Sequence, residues 1–197
     1  MTPFAELRLD TPRLLLRPLV DTDADDLFAI FSDPPVMRYW STGPWTDRAQ
    51  ARRLIEGDRA ALAGRRDLRV GLELRETGRV VGTLSLYKID APCRRADIGY
   101  ALARVSQGAG LMNEALAAMI GAAFDHRPGA PFDDLKLNRV EADVDPRNAP
   151  SCRALERLGF QLEGRLRERW WVEGEVSDSA MYGLLRADWL ARTAPRN

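Results

Sequence analysis

The stretch VSQGAGLMNEALAAM, Val105–Met119, places two glycines one residue apart directly before an apolar run of helix-forming residues. Glycine tolerates left-handed backbone and close approach of a ligand, and the first N–H groups of a helix have no internal partners. Gly108 and Gly110 therefore predict a turn into a helix whose start can hold an anion, favoured by the helix dipole. Phosphate or pyrophosphate is the natural ligand. A tightly packed strand-to-helix turn is the alternative use of the same glycines. Two other phosphate loops do not fit: the dinucleotide fingerprint needs a glycine where Asn113 stands, and no Gly-Lys-Ser/Thr follows as in a P-loop. The run itself (Leu111, Ala115, Leu116, Met119, Ile120, Ala123, Phe124) is apolar nearly all round, which predicts a helix to about His126, buried on several sides.

Working outward, RLLLRPL (13–19) reads as a short strand stopped by Pro18. A helix follows, with Asp21 as its N-cap and Pro34-Pro35 as its end. GPWTDRAQARRLIEGDRAALAGR (43–65) reads as a second helix capped by Thr46 or Asp47. LRVGLEL, RVVGTLSLYKI and ADIGYALA read as an antiparallel meander, its first two strands joined through the Glu76-Thr77-Gly78 turn. After the helix of the quoted stretch come a strand in LNRVEADVD, a short helix ending at Gly159, and two closing strands that turn near Glu173-Gly174-Glu175. The order β-α-α-β-β-β-α-β-α-β-β predicts an α/β fold: a mixed, largely antiparallel twisted sheet with helices on both faces, residues 1–197 forming one domain.

Twenty-nine basic and 29 acidic residues balance to a net charge of +0, which argues against broad nucleic-acid binding. Cys93 and Cys152 are too few for a disulfide framework or a zinc site, so no metal is expected. No stretch approaches the ~20 apolar residues of a membrane span. The N-terminal segment lacks the charged and apolar regions of a signal peptide. These features predict a cytoplasmic protein. His126 is the one histidine and is read as ending a helix, which leaves a histidine-based site poorly supplied.

DIGYALARVSQGAGLMNEAL (97–116) resembles the acetyl-coenzyme A signature of the GNAT superfamily of N-acetyltransferases, Gln/Arg-x-x-Gly-x-Gly/Ala between a strand and a helix. Gln107 and Gly110 fill the first two fixed positions; Met112 replaces the usual small residue at the third. NAPSCRALERLGFQLEG (148–164) resembles the superfamily's second signature, with Asn148, Ser151, Gly159, Phe160 and Gly164 matching. TPRLLLRPL and SDSAMYGLL are similar to the branch of ribosomal-protein N-terminal acetyltransferases acting on alanine or serine.

The resemblance implies transfer of an acetyl group from acetyl-CoA to a primary amine by direct attack in a ternary complex. A protein N-terminus is the implied acceptor; a small-molecule amine, or a CoA-binding regulatory protein without catalysis, are the alternatives. It implies that the amides of Gln107, Gly108, Ala109, Gly110, Leu111 and Met112 hold the pyrophosphate. It also implies that the backbone of Tyr100, Ala101 and Leu102 pairs with the pantetheine arm, with Tyr100 N–H polarising the thioester. Asn148 would bond the arm, and Ser151 would protonate the leaving thiolate, helix capping being the bland role. The branch's base, a glutamate after Gly-Phe, falls by strict spacing on Trp170. Glu168, two residues earlier, shares that face if the strand is regular, and Asp97 and Glu141 are alternatives. Tyr39, Trp40, Trp45 and Trp170 are candidates for an acceptor pocket, with core packing as their other use. A homodimer is a further expectation of the branch.

Overall fold

The meander read from the sequence forms the middle of the sheet. The computed structural model describes residues 4–64 and 67–194. Its strands are β1 (Leu9–Asp10), β2 (Leu14–Arg17), β3 (Leu68–Leu74), β4 (Arg79–Asp90), β5 (Arg95–Leu102), β6 (Arg139–Val144), β7 (Gln161–Val172) and β8 (Glu175–Leu185). They form one sheet in the order β1-β2-β3-β4-β5-β6-β8-β7. All neighbours are antiparallel except β5 and β6, which run parallel.

The helices are α1 (Ala24–Phe31), α2 (Pro34–Met37), α3 (Ala49–Ala63), α4 (Leu111–Ala123), α5 (Ala149–Leu158) and α6 (Arg186–Thr193). Strand alternation sends Leu84, Leu86, Ala96, Ile98, Val140 and Ala142 into a core with Leu116, Met119 and Ile120 of α4 and Leu155 of α5. A second core joins Leu27, Ile30 and Phe31 of α1 and Ile55 of α3 to Val80 and Ala101. Helices thus cover both faces, as expected. Leu116 and Met119 are fully buried, each stabilising the fold by roughly 1.5–3 kcal/mol relative to exposure.

Local departures from the sequence reading have identifiable causes. Asp21 is no helix cap; it opens a 3-10 turn (Asp21–Asp23) before α1, and the Asp23 carboxylate accepts the Val20 N–H at 2.8 Å. Pro34-Pro35 do not end α1, which stops at Phe31; they start α2, where a missing N–H costs nothing. Asp47 Oδ1 accepts Ala49 N–H at the start of α3, and the last residue of that predicted helix, Arg65, lies outside the described residues. α4 ends at Ala123 rather than His126, and α6 was not read from the sequence. The closing hairpin turns as expected: Glu173 and Gly174 both have positive φ (49° and 83°) between the paired Val172 and Glu175, a primed two-residue turn.

Candidate active site

The parallel pair β5–β6 comes apart. Arg95, Ala96 and Asp97 pair with Arg139, Val140 and Glu141, and there the ladder stops, although β5 continues to Leu102 and β6 to Val144. The far ends of the two strands border an opening in the sheet. Ala103 N–H donates to Val81 C=O, so along β5 the residues 101 and 99 turn their backbone groups toward β4. Tyr100 and Leu102 then turn theirs into the opening, and Leu102 C=O accepts there from Gln107 Nε2 at 3.0 Å. Of the three residues expected to pair with an extended ligand, Tyr100 turns its backbone groups to the opening, Leu102 keeps its N–H there with its C=O taken by Gln107, and Ala101 faces β4.

Beyond β5 the chain enters α4 through the glycine turn. Gly108 and Gly110 have φ of 79° and 78°, conformations costly for other residues. A Cβ on Gly108 would meet no atom within 4 Å, so its backbone faces open space. Gly110 is the N-cap of α4, no side chain caps the helix, and the first helical bond runs from Glu114 N–H to Gly110 C=O. The preceding amides from Gly108 to Met112 are thereby left to a ligand, and the cradle fits the diphosphate of a CoA. Gln107 departs from its expected role: its N–H is taken by Arg104 C=O and its side chain by Leu102. Met112 packs against the main core, so its bulk is turned away from the cradle. Arg13, just before β2, clamps this turn, donating from Nη1 to Ala109 C=O at 2.8 Å and from Nε to Glu114 at 2.7 Å.

On the α5 side of the opening, Asn148 is the N-cap, its Oδ1 accepting Ser151 N–H at 3.2 Å. Nδ2 and one lone pair of Oδ1 are left for a ligand. Ser151 Oγ lies 2.7 Å from Tyr100 OH. Burial pushes the Tyr100 phenol up to about 12 against the opposing pull of the Ser151 hydrogen bond, so it stays protonated at neutral pH.

A cleft of about 1270 Å³ leads from the opening across the α1–α3 side of the sheet. It brings together Tyr39, Trp40, Tyr100, Asn148, Ser151 and Trp170 of the predicted residues. Trp45 is not among its walls; it is half-buried against the second core, stacked on Phe31 with centroids 4.7 Å apart. Glu168 is absent from them too. Leu166 faces Ser179 and Trp170 faces Ser177, so β7 carries two extra residues there, and Glu168 sits in that bulge with φ of 52°. The regular strand on which its placement depended does not exist. Asp97 is committed to Lys88 Nζ at 2.8 Å, and Glu141 to Arg95 and Arg139 at 3.1 and 2.6 Å.

The carboxylate at the opening is one the sequence reading passed over. Asp143 lies one alternation beyond Glu141, past the last β5–β6 pair, and borders the cleft. Trp170 Nε1 is 3.5 Å from its Oδ1 and bonds Ser179 Oγ at 3.0 Å. The spacing Glu141-x-Asp143 marks the shared face; the end of the ladder, which no local pattern encodes, marks which of the two is free.

A glycine cradle at the start of a helix that follows a strand is what the first sequence signature implies, and a family model, "Acetyltransferase (GNAT) domain", matches residues 13–161. The chain belongs to the GNAT acetyltransferase family. It is 38% identical over 182 residues to the "uncharacterized N-acetyltransferase p20" of Bacillus licheniformis, covering 92% of this chain and 97% of that one. A shorter match, 33% over 92 residues, covers 47% of this chain and 43% of the ribosomal protein uS5-alanine N-acetyltransferase of Escherichia coli. Among solved structures, a "probable acetyltransferase" superposes with a TM-score of 0.80 at 28% identity, covering 93% of this chain and 99% of that one. This GNAT enzyme is an acetyl-CoA-dependent N-acetyltransferase. Among the described residues no group of three metal-ligating side chains occurs, and no helix is long and apolar enough to cross a membrane.

Proposed function

We propose that this acetyltransferase modifies a primary amine that enters through the cleft, with Asp143 taking the amine's proton and the Tyr100–Ser151 pair supplying one to the departing sulfur. The observation that carries this reading is the placement of Tyr100 and Asp143 on the two strands that part, with Ser151 of α5 bonded to Tyr100. Asp97 pairs with Glu141, so Asp143 shares their face of the sheet, whereas Tyr100 is of opposite alternation and lies on the other. Proton removal and proton delivery are thus separated by the sheet itself.

Acetyl-CoA, when bound, supplies an acetyl thioester whose carbon–sulfur bond breaks as the carbon–nitrogen bond forms. The cradle from Gly108 to Met112 would hold its diphosphate, and the open edge at Tyr100 and Leu102 its pantetheine arm. An ordinary amine is largely protonated near pH 7, so a base near its entry is required. Asp143 accepts that proton directly or through water. Tyr100 and Ser151 share a hydrogen bond in which either oxygen can donate, so one hydroxyl gives its proton to the sulfur, the other shares the charge left behind, and water entering through the cleft returns the proton to the pair.

A peptide or protein N-terminus is the favoured acceptor. The cleft exceeds the roughly 300–1,000 Å³ of small-molecule pockets, and a relative acts on a ribosomal protein. The test is thiol release from acetyl-CoA against a panel of N-terminal peptides and small amines, with the Asp143→Asn variant alongside. Amine-dependent release that falls at least ~10²-fold in the variant, with CoA affinity kept, is the expected result. Full activity of Asp143→Asn would overturn the assignment of the base.

A further inference from the structure

Among the described residues, one buried side-chain oxygen has no hydrogen-bond partner: Oδ2 of Asp58. Asp58 projects from α3 into the wall of the cleft. Its Oδ1 accepts from Arg69 Nη1 at 2.8 Å, and Arg69 Nε reaches Ser85 Oγ at 3.2 Å, so the guanidinium holds one carboxylate oxygen and turns its remaining reach to β4. A carboxylate can accept about four hydrogen bonds, so most of the capacity of this one is unused. Burial holds the carboxyl above its ordinary range, Arg69 pulls it back, and the charge of Asp67 adds to the effect of burial.

The remainder of the cleft has the same sign. Among the described residues, six carboxylates and four cationic side chains line it. Of the cations, Lys88 is paired with Asp97 outside the lining, Arg69 serves Asp58, and Arg38 and Arg147 are spent on Asp145 and Glu175. Among the described residues, Asp143 makes only the long contact to Trp170. Asp143 at the opening of the sheet and Asp58 on the α3 wall thus both face the cavity with unused capacity.

We propose that Asp58 selects acceptors carrying a second positive charge: with the reacting amine at Asp143, a further ammonium or guanidinium group of the same molecule binds Oδ2 of Asp58. The terminal torsion of a carboxylate is broad and two-fold, so a small turn presents Oδ2 to the cleft while Arg69 keeps the other oxygen. The shared chemistry is a dication, met either by an α,ω-diamine or by a peptide with Lys or Arg close behind a free N-terminus. The inference rests on the cleft being the acceptor site.

The experiment is steady-state kinetics with acetyl-CoA on two matched series: alkyl monoamines against diamines of equal length, and peptides with norleucine against lysine at the second position. The expected result is a KM about tenfold or more lower for the dication of each responding pair, the scale of a hydrogen bond to a charged group. Which series responds names the source. Asp58→Asn should abolish the gap while leaving CoA affinity and the monocation's kcat and KM unchanged. Asp58→Glu should keep the gap and favour a chain about one methylene shorter. A merely structural Asp58 would lower Tm and shift both members of each pair alike, which overturns the proposal, as does the absence of any gap in the wild type. If Asp58→Asn fails to fold, an unchanged length preference in Asp58→Glu overturns it. Turnover without a dication gap defeats the Asp58 assignment alone; absence of turnover with every amine defeats the acceptor reading beneath it as well.

Discussion

Tyr100 OH and Ser151 Oγ stand 2.7 Å apart, joining β5 to the start of α5 across the place where the sheet opens. Two hydroxyls so joined act as one donor, because whichever gives a proton away can draw on the other. Burial keeps the phenol protonated up to about pH 12.

Tyr100→Phe is therefore expected to lower kcat by about 10–10²-fold, and Ser151→Ala by the same factor or less, with CoA affinity near normal in both. The double variant should lose little more than the worse single one, since residues in one hydrogen-bond network are not additive. Wild-type kcat should show no alkaline loss attributable to Tyr100 below about pH 11. An unchanged kcat in both single variants would remove the pair from the chemistry.

Gly110→Asp should abolish measurable CoA binding by calorimetry in a protein that remains folded. The substitution adds a carboxylate beside a cradle built for phosphate, at a φ of 78°. Gly110→Asn is the control: it has the same shape and tolerates the left-handed region equally well, without the charge. A large gap in CoA affinity between the two identifies repulsion as the cause. Equal affinities would show that only the backbone conformation matters, and normal binding by both would move the diphosphate elsewhere.

How much of this was legible depends on the range of the interaction that fixes each feature. Gly108 and Gly110 were readable because left-handed backbone is a property of single residues. Asn148-x-x-Ser151 was readable because a helix cap spans three residues. The position of Glu168 was not, because the two extra residues of β7 exist only relative to β8. Asp143 was missed for a similar reason: it differs from Glu141 only in lying beyond the end of the β5–β6 ladder. Trp45 reads as well for a pocket as for a core until Phe31 is seen stacked on it.

Asn148 holds two roles that one pair of substitutions separates. Asn148→Ala loses both the cap on Ser151 N–H and the amide Nδ2, at about 1 kcal/mol of stability for the cap. Asn148→Asp keeps an oxygen for the cap and loses the Nδ2 donor. Chemical denaturation should place the Asp variant near wild type and the Ala variant below it. Calorimetry should find CoA binding weakened in both. Normal CoA binding by Asn148→Asp would reduce Asn148 to a structural cap.

Glu114 ties the turn between β1 and β2 to the cradle. Its carboxylate accepts Thr11 Oγ1 at 2.6 Å, Arg13 N–H at 2.9 Å and Arg13 Nε at 2.7 Å. Burial alone would raise its pKa, but these bonds outweigh burial and hold it below the ordinary range. A carboxyl lowered in the folded state stabilises the fold fully above its unfolded value, about 4.3, and that contribution is lost as pH falls through the lowered folded value. Glu114→Gln should therefore be less stable than wild type by roughly 1–2 kcal/mol at pH 7, and the difference should shrink as both proteins are taken below pH ~4. Urea titrations of the pair at several pH values measure this directly. Because Arg13 Nη1 also holds Ala109 C=O, freeing Arg13 from Glu114 should loosen the glycine turn and weaken CoA binding at neutral pH. A stability difference that does not change with pH would mean that the carboxylate's charge is irrelevant there and that Glu114 acts through shape alone.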